Sequence, residues 1–165
     1  MFLDADEIAA RVREIGTEIG RDYAGREPLV VGSLKACIPF VCDLSRAVRI
    51  HHTLDFVELS GYGEDAGDGI RFLKDLNTEI EGRDVVLTDA VVDTGLTMHY
   101  LVRSLAIRNP ATLHIATLFE RPYRRLVDDL PVRYVGFTIP DEFFVGYGFE
   151  LGERYRNLPD LHLVR

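Results

Sequence analysis

The sequence predicts an α/β fold: a central, mainly parallel sheet with helices on both faces. Three observations lead there. Short runs such as Leu29-Val30-Val31 and Val85-Val86-Leu87 are apolar throughout, as strands buried on both faces must be. Other segments repeat apolar residues at three- and four-residue steps, the spacing of an amphipathic helix. The two signals alternate along the chain, the order that crossovers between parallel strands require.

The elements follow in order. Asp4 and Glu7 form a capping-box start. Ile8, Val12, Ile15, Ile19 and Tyr23 then give one helical stripe, ended by Ala24-Gly25. Leu29 to Gly32 is the first strand, and a turn through Lys35-Ala36 leads to a helix from about Pro39 to Val48. His52 to Leu59 alternates polar and apolar residues, as a strand with one wetter face does. Ser60 to Gly69 holds four glycines among acidic residues and reads as a loop. Arg71 to Leu73 is a brief return strand. Asp84 to Asp89 is the clearest buried strand, followed by a turn at Asp93-Thr94-Gly95 and a helix from Leu96 to about Arg108. Thr112–Phe119 and Val132–Phe137 complete the strands.

Bulk properties narrow the function classes. The 165 residues suit one domain, 1–165, and 47% hydrophobic with 28% charged residues is the balance of a globular protein. A formal net charge of −8 argues against a nucleic-acid partner bound through a broad basic face. Two cysteines, Cys37 and Cys42, make no disulfide framework and have no zinc-ligand spacing. The first residues carry no basic region followed by an apolar run, and no run approaches the ~20 residues that span a bilayer. A cytoplasmic protein with no membrane partner is expected.

The chemistry concentrates between Val85 and Thr97. A buried strand ends in two acids, Asp89 and Asp93, followed by a threonine, a glycine, another threonine and a helix. Ligands of open α/β sheets bind beyond the carboxyl ends of strands. Gly95 allows a tight turn, while the first amides of the helix, with the hydroxyls of Thr94 and Thr97, suit a phosphate. Asp93 as a mere helix cap is the bland alternative, and D-x-G alone would favour it. No Gly-Lys-Ser/Thr and no G-x-G-x-x-G is present, so this is neither a Walker loop nor a dinucleotide fingerprint.

Val85 to Thr97 resembles the phosphoribosyl-pyrophosphate (PRPP) motif of type I phosphoribosyltransferases. The likeness extends to the hypoxanthine-guanine phosphoribosyltransferase family through Leu73–Leu76 with Ile80–Val85, through Gly136–Gly148 and through Arg154–Leu158. That resemblance implies the type I fold, with a small hood built from terminal segments, and transfer of phosphoribose from PRPP to a purine with release of pyrophosphate. It implies Mg2+ as cofactor, held by Asp89 and Glu150, and a homodimer or homotetramer. It further implies Asp93 as the general acid/base at the purine N7. The amides and hydroxyls of Thr94, Gly95, Leu96 and Thr97 would cradle the 5′-phosphate, and Asp89 would hold the ribose hydroxyls. Lys35 and Arg156 would bind pyrophosphate. Arg121, Phe143, the Phe144 backbone and Glu150 would surround the base, and Tyr62 would belong to a closing loop.

Departures from the family pattern cluster at the same place. Ala90 stands where a second acid is usual, and the loss of such an acceptor is worth about 1.5–3 kcal/mol. Ala36-Cys37 replaces smaller residues after Lys35, and Gly61 replaces a serine before Tyr62. Arg121 replaces a lysine, an exchange that is not conservative at a tight contact. Glu150 replaces an aspartate and Leu151 a tyrosine. A modified or 7-deazapurine base, or a non-catalytic nucleotide-binding regulator, are the alternatives these changes leave open. His51-His52, His99 and Asp128-Asp129 read as ordinary structural or surface residues. Arg124 and Arg125 are expected in a solvated turn, and Cys37 as an inert thiol.

Overall fold

A computed structural model describes residues 1–60 and 70–164. The chain begins with α1 (Ala5–Asp22), whose capping box closes as the sequence predicts. The Asp4 carboxylate accepts from the Glu7 amide at 2.8 Å, and the Glu7 carboxylate accepts from the Asp4 amide at 2.9 Å. The strands and helices that follow are β1 (Leu29–Ser33), α2 (Ile38–Ala47), β2 (Thr53–Leu59), β3 (Phe72–Lys74), β4 (Asp84–Val92), α3 (Leu96–Ala106), β5 (Thr112–Glu120) and β6 (Val132–Thr138). A short pair, β7 (Phe144–Val145) and β8 (His162–Leu163), lies near the C-terminus. The loop read over 60–69 falls, apart from Ser60, outside the described residues.

Six strands form one sheet in the order β3-β2-β1-β4-β5-β6. All neighbours are parallel except β3, which pairs antiparallel to β2 at the edge. Ile8, Val12, Ile15 and Ile19 of α1 are at most 2% exposed, each contributing about 1.5–3 kcal/mol of burial. With Phe40 and Leu44 of α2 they cover one face over Val30, Val86 and Ala116. Met98, Leu101 and Leu105 of α3 cover the other over Val31, Leu87 and Ile115. β4 lies between β1 and β5 under both layers, which is why its apolar run needs no alternation.

β4 runs three residues beyond the strand expected from sequence, to Val92, and α3 stops at Ala106, two residues early. The unforeseen β7–β8 pair is too short to leave a periodic signal. It builds the hood with the N-terminus, where the Leu3 amide donates to Leu161 at 3.3 Å. The hood meets the turn after β1 at Gly148, whose φ is +97° and where a Cβ would overlap the Ala36 carbonyl. No described helix is long and apolar enough to cross a membrane. Gly148→Ala adds both overlap and left-handed strain, costing about 1–3 kcal/mol. The melting temperature should fall by about 2–4 °C per kcal/mol, and thermal denaturation with no shift would separate hood from loop.

Candidate active site

A cavity of about 360 Å3 opens beyond the carboxyl ends of β1 and β4. A larger hollow of about 690 Å3 lies at Gly25–Glu27 and Arg49–His51, ahead of the opposite ends of the strands. Size does not decide between them. The smaller cavity has the chemistry, and it sits where α/β sheets bind ligands. It gathers Lys35, Asp89, Asp93, Thr94, Gly95, Thr97 and Arg156 from the sequence-predicted set, together with Ser33.

One wall is the turn from β4 into α3. Gly95 has φ +85°, and a Cβ there would lie 2.9 Å from Arg125 Cδ and 3.0 Å from Leu130 Cδ1. The turn sends the chain into α3 without a side-chain cap. Among the described residues, the Thr94, Gly95 and Thr97 amides donate to no protein acceptor, and Leu96 N–H reaches only the Thr94 hydroxyl at 3.5 Å. These donors sit at the positive end of a helix dipole, ready for an anion. Leu96 places its side chain outward, 38% exposed, and is not on the cavity lining.

Two acids differ in character. Asp89 is half-buried, and its Oδ1 accepts from the Ala90 amide at 2.7 Å. Burial pushes its carboxyl up to about 7, against the opposing effect of the Ala90 amide and the Ser33 hydroxyl. Among the described residues it pairs with no cation. Asp93, in contrast, is flanked by two. Arg121 Nη1 donates to its Oδ2 at 3.3 Å, and Arg124 Nε lies 3.1 Å from its Oδ1. The second contact lacks hydrogen-bond direction, so the buried Oδ1 has no hydrogen-bond donor. A buried lone pair of this kind is available to a ligand N–H.

Arg124 is exposed, as expected of a solvated turn, yet its guanidinium reaches two acids. Residues 122–124 form a 3-10 turn after β5 that folds back, placing Arg124 between Asp93 and Asp141, the latter at 2.6 Å. Arg125, by contrast, departs from that expectation and is turned inward, toward Glu120 at 3.5 Å. Nothing local in Arg-Pro-Tyr-Arg-Arg separates these from surface charges. Arg121 is 8% exposed and its Nη2 donates to the Glu142 carbonyl at 2.8 Å. It thus ties Asp93 to the segment carrying Phe143 and Phe144. Phe143 is 58% exposed, whereas Phe144 is buried against Phe2 and Phe149.

The cationic wall comes from two distant segments. Lys35 lies in the turn after β1, where the Leu34–Lys35 peptide is cis, and Arg156 comes from the hood, bonded to the Gly148 carbonyl at 2.9 Å. Both pair with Glu153, at 3.0 and 2.8 Å, a residue that sequence reasoning did not single out. Glu150 is not on the cavity lining, and its Oε2 accepts from the Glu153 amide at 2.6 Å. Ala90 is 1% exposed and off the lining. Cys37 is fully buried, and burial pushes its thiol far up, which makes it unreactive. His52 bonds the Ser45 hydroxyl and the Ile50 carbonyl, both at 2.8 Å. Tyr62 and Gly61 lie outside the described residues.

Comparison with known proteins agrees with this geometry. The Phosphoribosyl transferase domain family matches residues 1–150. The hypoxanthine-guanine phosphoribosyltransferase of Bacillus subtilis is 36% identical, with 100% of this chain and 92% of that protein aligned. That of Streptococcus mutans is 40% identical over 97% of this chain and 89% of its own length. The chain also matches the bifunctional protein TilS/HprT of Listeria monocytogenes at 39% identity, spanning 26% of that longer protein. A crystal structure of the Bacillus anthracis hypoxanthine-guanine phosphoribosyltransferase superposes with a TM-score of 0.94 at 37% identity, covering 100% of this chain and 98% of the other. The chain therefore belongs to the phosphoribosyltransferase family, within its hypoxanthine-guanine phosphoribosyltransferase branch.

Proposed function

We infer that the site of this purine phosphoribosyltransferase joins PRPP to hypoxanthine or guanine, the bases its relatives are named for. The observation that carries this reading is one cavity at the end of β4. Its lining includes Thr94, Gly95 and Thr97, whose amides meet no protein acceptor among the described residues, beside Asp93, whose Oδ1 lacks a hydrogen-bond donor. The amides of Thr94, Gly95, Leu96 and Thr97 hold the 5′-phosphate, which fixes the ribose against Asp89. A purine stacked on exposed Phe143, at the Phe144 backbone, presents its N–H to Asp93. Arg121 donates to the exocyclic oxygen; as a guanidinium it cannot accept from an exocyclic amine, so it favours 6-oxopurines.

In the transfer, a bond forms between a purine nitrogen and the ribose C1′ as the C1′–oxygen bond to pyrophosphate breaks. The electron pair of that bond leaves with pyrophosphate, and the proton of the base passes to Asp93. Lys35 and Arg156 receive the pyrophosphate charge, a form of electrostatic stabilisation directed at the leaving group. Holding both substrates in one cavity supplies the positional part of the acceleration.

A magnesium ion fits the donor set. Asp89 is a desolvated carboxylate with no cation partner among the described residues, and no group of three or more candidate ligands gathers there. That suits a hard cation held mostly by substrate phosphates. Asp89 would hold it, and it would neutralise charge on the departing pyrophosphate; Glu150, expected to share it, lies off the cavity lining with its carboxylate accepting from the Glu153 amide. A dimeric or tetrameric state and a cytoplasmic location complete this reading.

Incubation with PRPP, magnesium and a panel of purines and 7-deazapurines tests it: pyrophosphate should appear with hypoxanthine or guanine, and silence across the panel overturns the assignment. Asp93→Asn should lower turnover by about 10²–10⁴-fold while PRPP binding, followed by calorimetry, persists. Asp89 holds sugar hydroxyls or a cation more strongly when ionised. With its carboxyl raised to about 7, the ratio of wild-type to Asp89→Asn affinity for PRPP should grow from pH 6 to pH 8 and level above that. A ratio independent of pH would remove Asp89 from PRPP binding.

A further inference from the structure

Among the described residues, Glu153 is the one acid paired with both cations of the proposed pyrophosphate wall. Its Oε2 lies 3.0 Å from Lys35 Nζ and its Oε1 lies 2.8 Å from Arg156 Nη2. Lys35 is 118 positions away in sequence, so this contact joins the turn after β1 to the hood. Both cations line the cavity and Glu153 does not. Its two carboxylate oxygens bridge them in the way that two oxygens of a phosphate group would.

The residue is held in this place rather than resting there. Its φ is +61°, in the left-handed region that a side-chain-bearing residue adopts only when its surroundings impose it. Its amide is fixed by Glu150 Oε2 at 2.6 Å. Lys35 and Arg156 hold the Glu153 carboxyl below the usual range, so it is anionic throughout the neutral range. The side chain is nevertheless 62% exposed, and exposed pairs of this kind are weak enough to be exchanged for a better anion.

We propose that Glu153 is a built-in rival of pyrophosphate: its carboxylate occupies Lys35 and Arg156 in the unliganded site and is displaced when pyrophosphate binds. Binding of the phosphoanhydride then releases one anion from the cations it engages, which weakens its hold and favours its departure as product. The turn Leu151–Arg154, closed by paired backbone bonds between its ends at 3.2 and 3.3 Å, is the element that carries Glu153 away. This inference rests on the reading of Lys35 and Arg156 as the pyrophosphate wall.

Titration calorimetry with inorganic pyrophosphate in excess magnesium compares the wild-type protein with Glu153→Gly and Glu153→Gln. Glycine relaxes at φ +61°, so the first variant removes the carboxylate without new strain, and both substitutions fall on an exposed side chain. Pyrophosphate should bind the glycine variant about three- to tenfold more tightly, with an equal or smaller gain for glutamine, whose amide oxygen can still accept from both cations. Unchanged or weaker binding to the glycine variant overturns the proposal and makes Glu153 a residue that orients the cations. Purine turnover by the wild-type protein is read separately: its absence rejects the functional assignment, whereas the ratio of affinities tests Glu153. Pyrophosphate binding to neither protein rejects both.

Discussion

The left-handed turn at Gly95 is the constraint on which the site depends. β4 is walled in by β1 and β5 and covered by both helical layers, so its end has a fixed position. The chain must then reverse into α3 within three residues, and φ +85° at Gly95 accomplishes this. A Cβ would crowd the side chains of Arg125 and Leu130, which would have to shift to admit it. Backbone geometry, helix dipole and the placement of Asp93 thus share one cause.

A protein with a net charge of −8 handles anionic substrates by concentrating its cations locally. Lys35, Arg121, Arg124 and Arg156 converge on the cavity or its rim, and each is already paired: with Glu153, with Asp93, with Asp93 and Asp141, and with Glu153. Unpaired, the cations would repel one another across a small space. Paired, they are preorganised at little cost. Asp93 pairs with two arginines while its buried Oδ1 is left without a hydrogen-bond donor.

The departures from the family pattern acquire distinct physical meanings. Ala90 is buried away from the lining, which leaves Asp89 as the residue of that pair facing the cavity. Ala36 lines the cavity and presents its carbonyl to Gly148, while its neighbour Cys37 is packed inward against Gly32, so the Cys37 side chain does not stand in the path of phosphate. Arg121 spans Asp93 and the Glu142 carbonyl, a reach that a lysine ammonium would not reproduce with one donor plane.

The sequence alone determined the features whose causes are local. The capping box at Asp4 and Glu7, the stripe of α1, the apolar runs of β1 and β4, and the acids and turn between Asp89 and Thr97 all lie within a few residues of their reasons. The resemblance placed Arg121, Phe143 and Arg156 in the base and pyrophosphate regions without their contacts. Tertiary structure alone decided the rest: the β7–β8 pairing within the hood, the inward turn of Arg125, and Glu153 between Lys35 and Arg156. Charged side chains leave no periodic signal of burial, and their partners come from segments far apart in the chain. Which acid meets which cation is therefore settled only when the sheet brings the loop after β1, the turn after β5 and the hood to one end.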